Sequence, residues 1–328
     1  MIRSLYFTPE HKLQLDVPVS DFSEDIKAQD GLLWVDFQNN PPQEDEPILL
    51  NVFGFHPLAV DDALQESHVP KVDDWGDYVY IVLHAISFDA GHDDKIHTHE
   101  LDIFLGKNYV VTHHDEPIEA LDRVWNTIFR DERHLKSGGD HLLYRLVDEV
   151  VANYMPVVDA MDEAIDTVED EVFNNPSPYT LERIFRLKRA ALHLRRIVGP
   201  QREVLNRLAR DDYPVIDDAD RVYFRDIYDH LVRLYDISEN LRDLVSGSLD
   251  TYLSVVNNRM NDIMKTLTII TTLFMPISFV VGFFGMNFFA PSVPLEEWTS
   301  HPAFYLTLVV LIGLPLAMFA WMRQKRWM

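Results

Sequence analysis

The chain has 328 residues, with 53 acidic against 29 basic residues and a formal net charge of −24. Phosphate binding needs clustered positive charge, so this balance disfavours a nucleic-acid partner and suits a protein that gathers divalent cations. The absence of cysteine excludes disulfides and thiolate metal sites. Because the N-terminus lacks an apolar run of signal-peptide length, the hydrophilic part is predicted to stay in the cytosol.

The first part of the chain, residues 1–140, is predicted to be an α/β domain in the cytosol. Its predicted strands are rich in β-branched and aromatic residues and cover 31–37, 77–88, 100–106 and 109–114. Segments 56–65 and 115–129 have helical spacing, and 91–95 is typical of a hairpin turn. This mixture predicts one sheet covered by helices.

Residues 141–218 are predicted to form a pair of antiparallel helices. The first carries Asp and Glu along most of one side, a proline-containing break follows at 174–180, and the second is strongly basic. Opposite charges on consecutive helices favour pairing, although two solvated charged faces explain the pattern as well. A helical stalk is predicted over residues 219–263.

Two membrane spans are predicted at the C-terminus, over residues 264–287 and 303–322. Between Lys265 and Glu296 lie roughly thirty residues without charge, where about twenty suffice to cross a bilayer. The loop 288–302 lacks Lys and Arg, whereas basic residues precede the first span and fill the tail 323–328. This asymmetry predicts a multi-pass protein of the lipid bilayer with both termini in the cytoplasm.

The first span carries polar and small residues along one side. The residues recur every 3.5 positions, as in a coiled coil, and we name them the seam: Asp250, Ser254, Asn257, Asn261, Met264, Thr268, Thr271, Met275, Ser278 and Gly282. A polar seam inside a membrane must face protein or water. Several copies around a water-filled axis satisfy this, and the alternative is a tightly packed helix pair.

The first span ends in Gly285-Met286-Asn287. Taken alone, this tripeptide could be a helix C-cap, because Gly and Asn tolerate left-handed backbone. Together with the preceding MKTLTIITTLFMPISFVVGFF and the segments YFRDIYDHL, VSGSLDTYLS and PKVDDWGDYVYIVL, however, the chain resembles the CorA family of magnesium channels. One departure is Phe284, where the family usually has Tyr.

The resemblance implies a homopentameric channel for Mg²⁺, with Co²⁺ or Ni²⁺ as further ions. Gly285, Met286 and Asn287 would then form a selectivity filter of neutral oxygens that reads the hydration shell of the ion. Met264, Leu267 and Met275 match an apolar constriction, although the strict repeat selects Thr268 instead of Leu267. Thr271, Ser278 and Gly282 would line the pore, with rings of Asn261 and Asp250 towards the cytoplasm.

The resemblance also implies regulatory divalent sites between cytosolic domains. Asp226, within YFRDIYDHL, matches such a position, and Asp89 is a weaker candidate that is equally explained as a turn aspartate. In the outer loop, Glu296 and Glu297 would concentrate cations without coordinating them, or simply be solvated.

Other functions receive less support from the sequence. The pairs His97/His99 and His113/His114 invite a zinc site but show no clear third ligand. A zinc, cobalt or nickel transporter on the same scaffold is the alternative within transport, and zinc-transporting relatives usually depart from Gly-Met-Asn. A two-span receptor would need a larger domain between its spans. An enzyme in the N-terminal domain is a third possibility, but the sequence contains no phosphate loop, nucleophile motif or complete metal triad, so neither an enzyme nor an organic small-molecule substrate is predicted.

Overall fold

The computed structural model describes residues 1–10, 12–26, 31–65, 69–91, 93–131, 135–286 and 300–325. The chain forms two compact units, Met1–Asp250 and Thr251–Met328. The first unit consists of a β-sheet with covering helices, and the described part of the second is helical.

The described part of the first unit contains one seven-stranded sheet, in the order β2-β1-β3-β7-β6-β5-β4. The strands are β1 (Ile2–Phe7), β2 (Leu13–Leu15), β3 (Leu32–Gln38), β4 (Lys71–Asp74), β5 (Tyr78–Asp89), β6 (Lys95–Gly106) and β7 (Tyr109–His114). Strands β3 and β7 pair in parallel, whereas the other neighbours are antiparallel. The α/β class is confirmed, and β1, β2 and β4 were not predicted.

Each face of the sheet is covered by helices that bury aromatic side chains. On one face, α2 (Pro42–Asn51) and α3 (Pro57–Leu64) cover a core in which Phe55 stacks on Phe104, with ring centroids 4.2 Å apart. On the other face, Trp34 of β3 contacts Trp125 of α4 (Glu119–Arg130) at 5.0 Å. A short helix, α1 (Phe22–Asp25), adds the fully buried Phe22 to the first core.

The helical region begins with α5 (Gly139–Ala152), α6 (Tyr154–Asn174) and α7 (Pro178–Arg210). The sequence analysis treated 141–173 as one helix, and the structure corrects this by dividing it at Asn153. The reason is Pro156, because its missing N–H cannot bond the carbonyl of Ala152. The division places Tyr154 so that its hydroxyl donates to the carbonyl of His84 at 2.7 Å, which anchors α6 to β5.

Helices α6 and α7 pack against each other through apolar faces. An ion pair joins Glu171 to Arg183 at 2.6 Å. Most of the acidic side of α6, including Asp159, Asp162 and Asp166, is exposed to solvent. Apolar burial is therefore the main source of the pairing, since exposed ion pairs contribute little.

The longest helix, α8 (Arg221–Phe284), extends from the first unit into the second. Within the first unit, its buried residues include Phe224, Ile227 and Leu231. Its Tyr223 stacks on Tyr144 of α5 at 4.8 Å, and its Ser248 hydroxyl donates to Glu169 of α6 at 2.7 Å. This part of α8 is thus integrated into the helical layer of the first unit.

The described part of the second unit consists of the end of α8 and α9 (His301–Gln324). Two helices in the described residues, Arg221–Phe283 and His301–Gln324, are long and apolar enough to cross a membrane. Each contains an 18-residue stretch of high mean hydropathy, 1.9 in the first helix and 2.3 in the second. Large apolar side chains such as Phe279 and Leu306 are exposed. One stripe of α9, from Ala303 through Thr307 and Leu311 to Met322, is partly or fully buried.

Candidate ion pathway and regulatory carboxylates

The seam residues of α8 are all exposed in the single chain. Even the apolar members are open, with Met264 53% and Met275 67% exposed. Surfaces of this size on a membrane helix need lipid, another protein surface or water to cover them. Exposure in a single chain is compatible with both a pore and a tightly packed helix pair.

Two seam hydroxyls are held by their own helix. Thr268 Oγ1 donates to the carbonyl of Met264 at 2.7 Å, and Thr271 Oγ1 donates to that of Leu267 at 2.9 Å. Each donor is thereby satisfied within the helix, while the oxygen keeps lone pairs that can accept from another donor. Such oxygens can accept hydrogen bonds from the water shell of a cation.

Leu267 and Thr268 are neighbouring candidates for the constriction. Both side chains are exposed, Leu267 at 55%. Neighbouring positions on a helix differ by about 100° in direction, so only one of the two can point most closely at the axis of an assembly.

The end of α8 shows why glycine occupies position 285. Gly285 donates its N–H to the carbonyl of Val281 at 2.9 Å, and Met286 donates to that of Phe283 at 3.3 Å. A Cβ at position 285 would lie 3.0 Å from the Val281 carbonyl oxygen. The glycines with positive φ in the described residues do not include Gly285, so the left-handed cap explanation does not account for it.

Three predicted residues cannot be placed. Asn287, Glu296 and Glu297 lie outside the described residues. Their roles therefore remain predictions from the sequence.

An acidic row extends the seam towards the N-terminus of α8. Asp229, Asp236, Asp243 and Asp250 are spaced by seven residues and are all exposed. The sequence analysis recognised only Asp250, although the same repeat selects the other three. In a symmetric assembly, each member would contribute a ring of carboxylates.

Of the two regulatory candidates, Asp226 has the more informative surroundings. It lies on α8, one turn before His230, and is exposed. Burial raises the pKa of Asp148 on α5, and the negative charges of Glu149 and Asp226 raise it further. Asp226 therefore has a second carboxylate nearby within its own chain. Asp89 is exposed at the end of β5, where its carbonyl accepts from Asp94 N–H at 3.0 Å.

The histidines named in the sequence analysis contact separate groups. His113 Nε2 lies 3.6 Å from Asp45, His114 Nε2 lies 3.3 Å from Asp36, and His99 Nδ1 lies 2.6 Å from Glu116. His97 is exposed on β6, opposite Ser87. Among the described residues, no group of three or more His, Asp or Glu could hold a metal ion.

The environments of two of these histidines shift their pKa values in opposite directions. Burial opposes charge on His114, but its contact with Asp36 outweighs burial and raises its pKa. Burial lowers the pKa of His113, which faces Asp45 and Asp102. Burial raises the pKa of Asp102, whose Oδ1 accepts from the Tyr80 hydroxyl at 2.5 Å. These groups form the polar part of the sheet core.

An α/β unit followed by two membrane-length helices, the first of which carries the polar seam, is the architecture of a membrane protein with a large hydrophilic part. A sequence model described as "CorA-like Mg2+ transporter protein" matches residues 29–325. The chain belongs to this family, so it is a divalent-cation transporter and not an enzyme.

Individual proteins of this kind are similar over most of their length. The cobalt/magnesium transport protein CorA of Thermotoga maritima is 37% identical over 84% of this chain and 78% of its own. A putative metal ion transporter of Bacillus subtilis, YfjQ, is 33% identical over 100% of this chain and 98% of its own. The solved structure of CorA from Methanocaldococcus jannaschii has a TM-score of 0.83 at 23% identity, covering 99% of this chain and 98% of that chain. The predicted family and fold class are thus confirmed.

Proposed function

We propose that this chain forms a homopentameric channel for Mg²⁺ influx in the plasma (inner) membrane, with both termini in the cytoplasm. The observation that carries this proposal is the seam, which is polar or small along a membrane-length helix and exposed throughout. Closing such surfaces around one axis gives a water-lined path, whereas lipid cannot satisfy Asn or Ser side chains.

We infer that the ion keeps its water shell at the outer mouth. Mg²⁺ dehydrates reluctantly, so neutral oxygens that hydrogen-bond its shell suit conduction better than carboxylates that bind tightly. The carbonyls of Gly285 and Met286 and the side chain of Asn287 would supply these oxygens. Further in, exposed Met264, Leu267 and Met275 would form a narrow section that can exclude water and stop flow.

We further propose that cytosolic Mg²⁺ closes the channel. Asp226 lies on α8, the same helix that carries the seam, so a cation held at Asp226 can bias the position of the seam. Carboxylates of neighbouring copies repel each other unless a cation bridges them. Asp89 of a second copy is one candidate partner for the bridge. As Mg²⁺ falls, the bridges would empty and the closed arrangement would lose its advantage.

The experiment that tests this function is divalent uptake into proteoliposomes that contain the purified full chain. We expect Mg²⁺ uptake that saturates and exceeds uptake of Zn²⁺, with Co²⁺ and Ni²⁺ also entering. Empty vesicles and vesicles with an unrelated membrane protein serve as controls. Uptake of Zn²⁺ without Mg²⁺ would instead favour the zinc-transport alternative, and no divalent uptake at all would contradict the channel.

A further inference from the structure

A groove in the first unit concentrates positive charge in a strongly acidic chain. It lies between the start of β6 and the middle of α7 and has a volume of about 630 Å³. We name it the basic groove after the Lys and Arg side chains that line it, Lys95, Arg186, Arg189 and Arg196, with His193 beside them. The chain as a whole has a net charge of −24, so this local excess of cations is unusual for the molecule.

The acid at the base of the groove is already engaged. Asp94 is 1% exposed, and its Oδ2 lies 3.1 Å from Arg183 Nε and 3.7 Å from Arg186 Nε. Its Oδ1 also accepts from the N–H of Gly91 at 3.0 Å. The groove lining thus contains two carboxylates, Asp93 and Asp94, against four Lys and Arg side chains, and the buried Asp94 already faces two guanidinium groups.

The arginines of the groove have hydrogen-bonding capacity left over. Nε and Nη2 of Arg186 are buried without a hydrogen-bond partner among the described residues. Arg189 and Arg196 are exposed, and neither has an ion-pair partner within the described part of the chain. Burial lowers the pKa of His193, and the positive charges of His84, Arg196 and Lys95 lower it further. Geometry and charge both indicate a site that suits an anion.

We propose that the basic groove binds a nucleoside triphosphate. Guanidinium groups bind phosphate oxygens in pairs of parallel hydrogen bonds, and several of them around one groove suit a chain of phosphates. Beside the cations, the lining is apolar: Leu192 is partly exposed next to the buried Ile96 and Ala190, and the face of a base can lie against Leu192. Neither the phosphates nor the base alone would use both parts of the lining. This site is separate from the ion pathway and goes beyond the proposed transport function.

The chemistry of the ligand makes such a site sensitive to Mg²⁺. A free nucleoside triphosphate is more negatively charged than its Mg²⁺ complex, so the basic groove should prefer the free form. Occupancy would then rise as Mg²⁺ falls. If the ligand binds the open and closed states with different affinities, linkage makes the balance between these states depend on the Mg²⁺ concentration.

Isothermal titration of the detergent-solubilised full chain tests the proposal. The titrants are ATP with a chelator, ATP with excess Mg²⁺, inorganic triphosphate and AMP. We expect ATP with a chelator to bind best, inorganic triphosphate to bind more weakly because it has no base, and AMP to bind weakest. The groove variant K95E/R189E should lose affinity for ATP by about tenfold or more, since two charge-assisted contacts become repulsive.

A matched control is K107E/R210E, which makes the same two charge changes at exposed residues. Lys107 follows the other end of β6, Arg210 ends α7, and neither lines the groove. Unchanged affinity in the control and unchanged size-exclusion profiles for both variants complete the expected result. R189K, which keeps the charge, should retain most of the binding.

Two outcomes overturn the proposal. One is no binding of ATP to the wild-type chain. If, in addition, the groove variant alone loses assembly, the acidic face of α6 from a second copy occupies the groove. The other outcome is an equal loss of affinity in the groove variant and its control, which indicates non-specific attraction.

Discussion

The two units of this chain differ in how far their large apolar side chains are exposed. In the first unit, Trp34 and Phe104 are fully buried at 0% exposure. In the second, Phe279 is 73% and Leu306 68% exposed. A water-soluble domain does not present so many large apolar groups, whereas a membrane helix does.

A single chain completes the packing of the first unit but leaves the apolar and polar surfaces of the second unit uncovered. The first unit pairs its strands, buries its core and contacts its buried histidines with carboxylates. The second unit leaves its seam and its apolar faces for other molecules to cover. Substitutions in the second unit should therefore alter ion flow, whereas core substitutions in the first should alter stability.

The largest expected effect is at the outer mouth. Asn287→Ala removes the side-chain amide that we assign to the filter, so selective Mg²⁺ uptake into proteoliposomes should fall to the background of empty vesicles. Assembly, followed by size-exclusion chromatography, should be unchanged. Asn258→Ala is the matched control, because Asn258 is exposed on α8 but not part of the seam. Near-normal selective uptake by a correctly assembled Asn287→Ala protein would contradict the filter assignment.

The next effect concerns the narrow section. Met275→Ser or Leu267→Ser should admit water and raise ion leak at closing Mg²⁺ by about tenfold, which corresponds to a barrier lower by about 1.4 kcal/mol. Phe279→Ser, on an exposed position outside the seam, should not raise the leak. Fluorescent ion flux into vesicles measures all three. Unchanged leak in both Met275→Ser and Leu267→Ser would exclude an apolar gate at these positions.

A further substitution tests whether Leu267 or Thr268 faces the axis of the assembly. Thr268→Val keeps the size of the side chain but removes the hydroxyl that donates to Met264. If Thr268 faces the axis, this change should lower conductance, while Leu267→Ser has little effect. The opposite pattern supports Leu267.

The sequence predicted the second unit better than the first because its signals are local. A charge-free stretch, a 3.5-residue repeat and the Gly285-Met286-Asn287 tripeptide can be read without tertiary contacts. In the first unit, β1 was missed although Leu5 and Phe7 are buried, because its partner β3 lies far along the chain. The division of the helix at Asn153 depended on one proline, and the basic groove depends on β6 and α7 meeting in space.

A smaller effect is expected at Asp226, where we propose that the first unit senses the ion. Asp226→Lys places a fixed positive charge where we propose a bridging Mg²⁺, and this should hold the assembly in its closed arrangement. After chelation, wild type should be cut by protease about fivefold faster than with Mg²⁺, while the variant should resist in both conditions. Asp159→Lys makes the same charge change on exposed α6 and should behave as wild type. Equal Mg²⁺ protection of wild type and Asp226→Lys would place the sensor elsewhere.

The smallest effect on transport is expected for a buried carboxylate of the sheet core that has a hydrogen bond to only one of its two oxygens within the described part of the chain. Asp45 on α2 is 0% exposed, and its Oδ1 accepts from Asn40 Nδ2 at 3.0 Å. Its Oδ2 has no hydrogen-bond partner among the described residues, with His113 Nε2 at 3.6 Å. Burial raises the pKa of Asp45 from 3.8 to about 6. Folding therefore favours the protonated form of this side chain.

The sign of the pH dependence follows from that raised pKa. Stability from protonated Asp45 is fully present below the ordinary pKa of 3.8 and is lost as the pH rises through about 6. Asp45→Asn keeps the shape without the charge, so it should stabilise the fold at about pH 8 by up to about 3 kcal/mol. The gain should shrink towards about pH 5, because wild type then becomes protonated. Thermal unfolding of the full chain, followed by circular dichroism across this range, measures the difference. Mg²⁺ uptake should stay unchanged, since the first unit completes this part of its structure alone; a pH-independent difference would mean that the charge of Asp45 is not its cause.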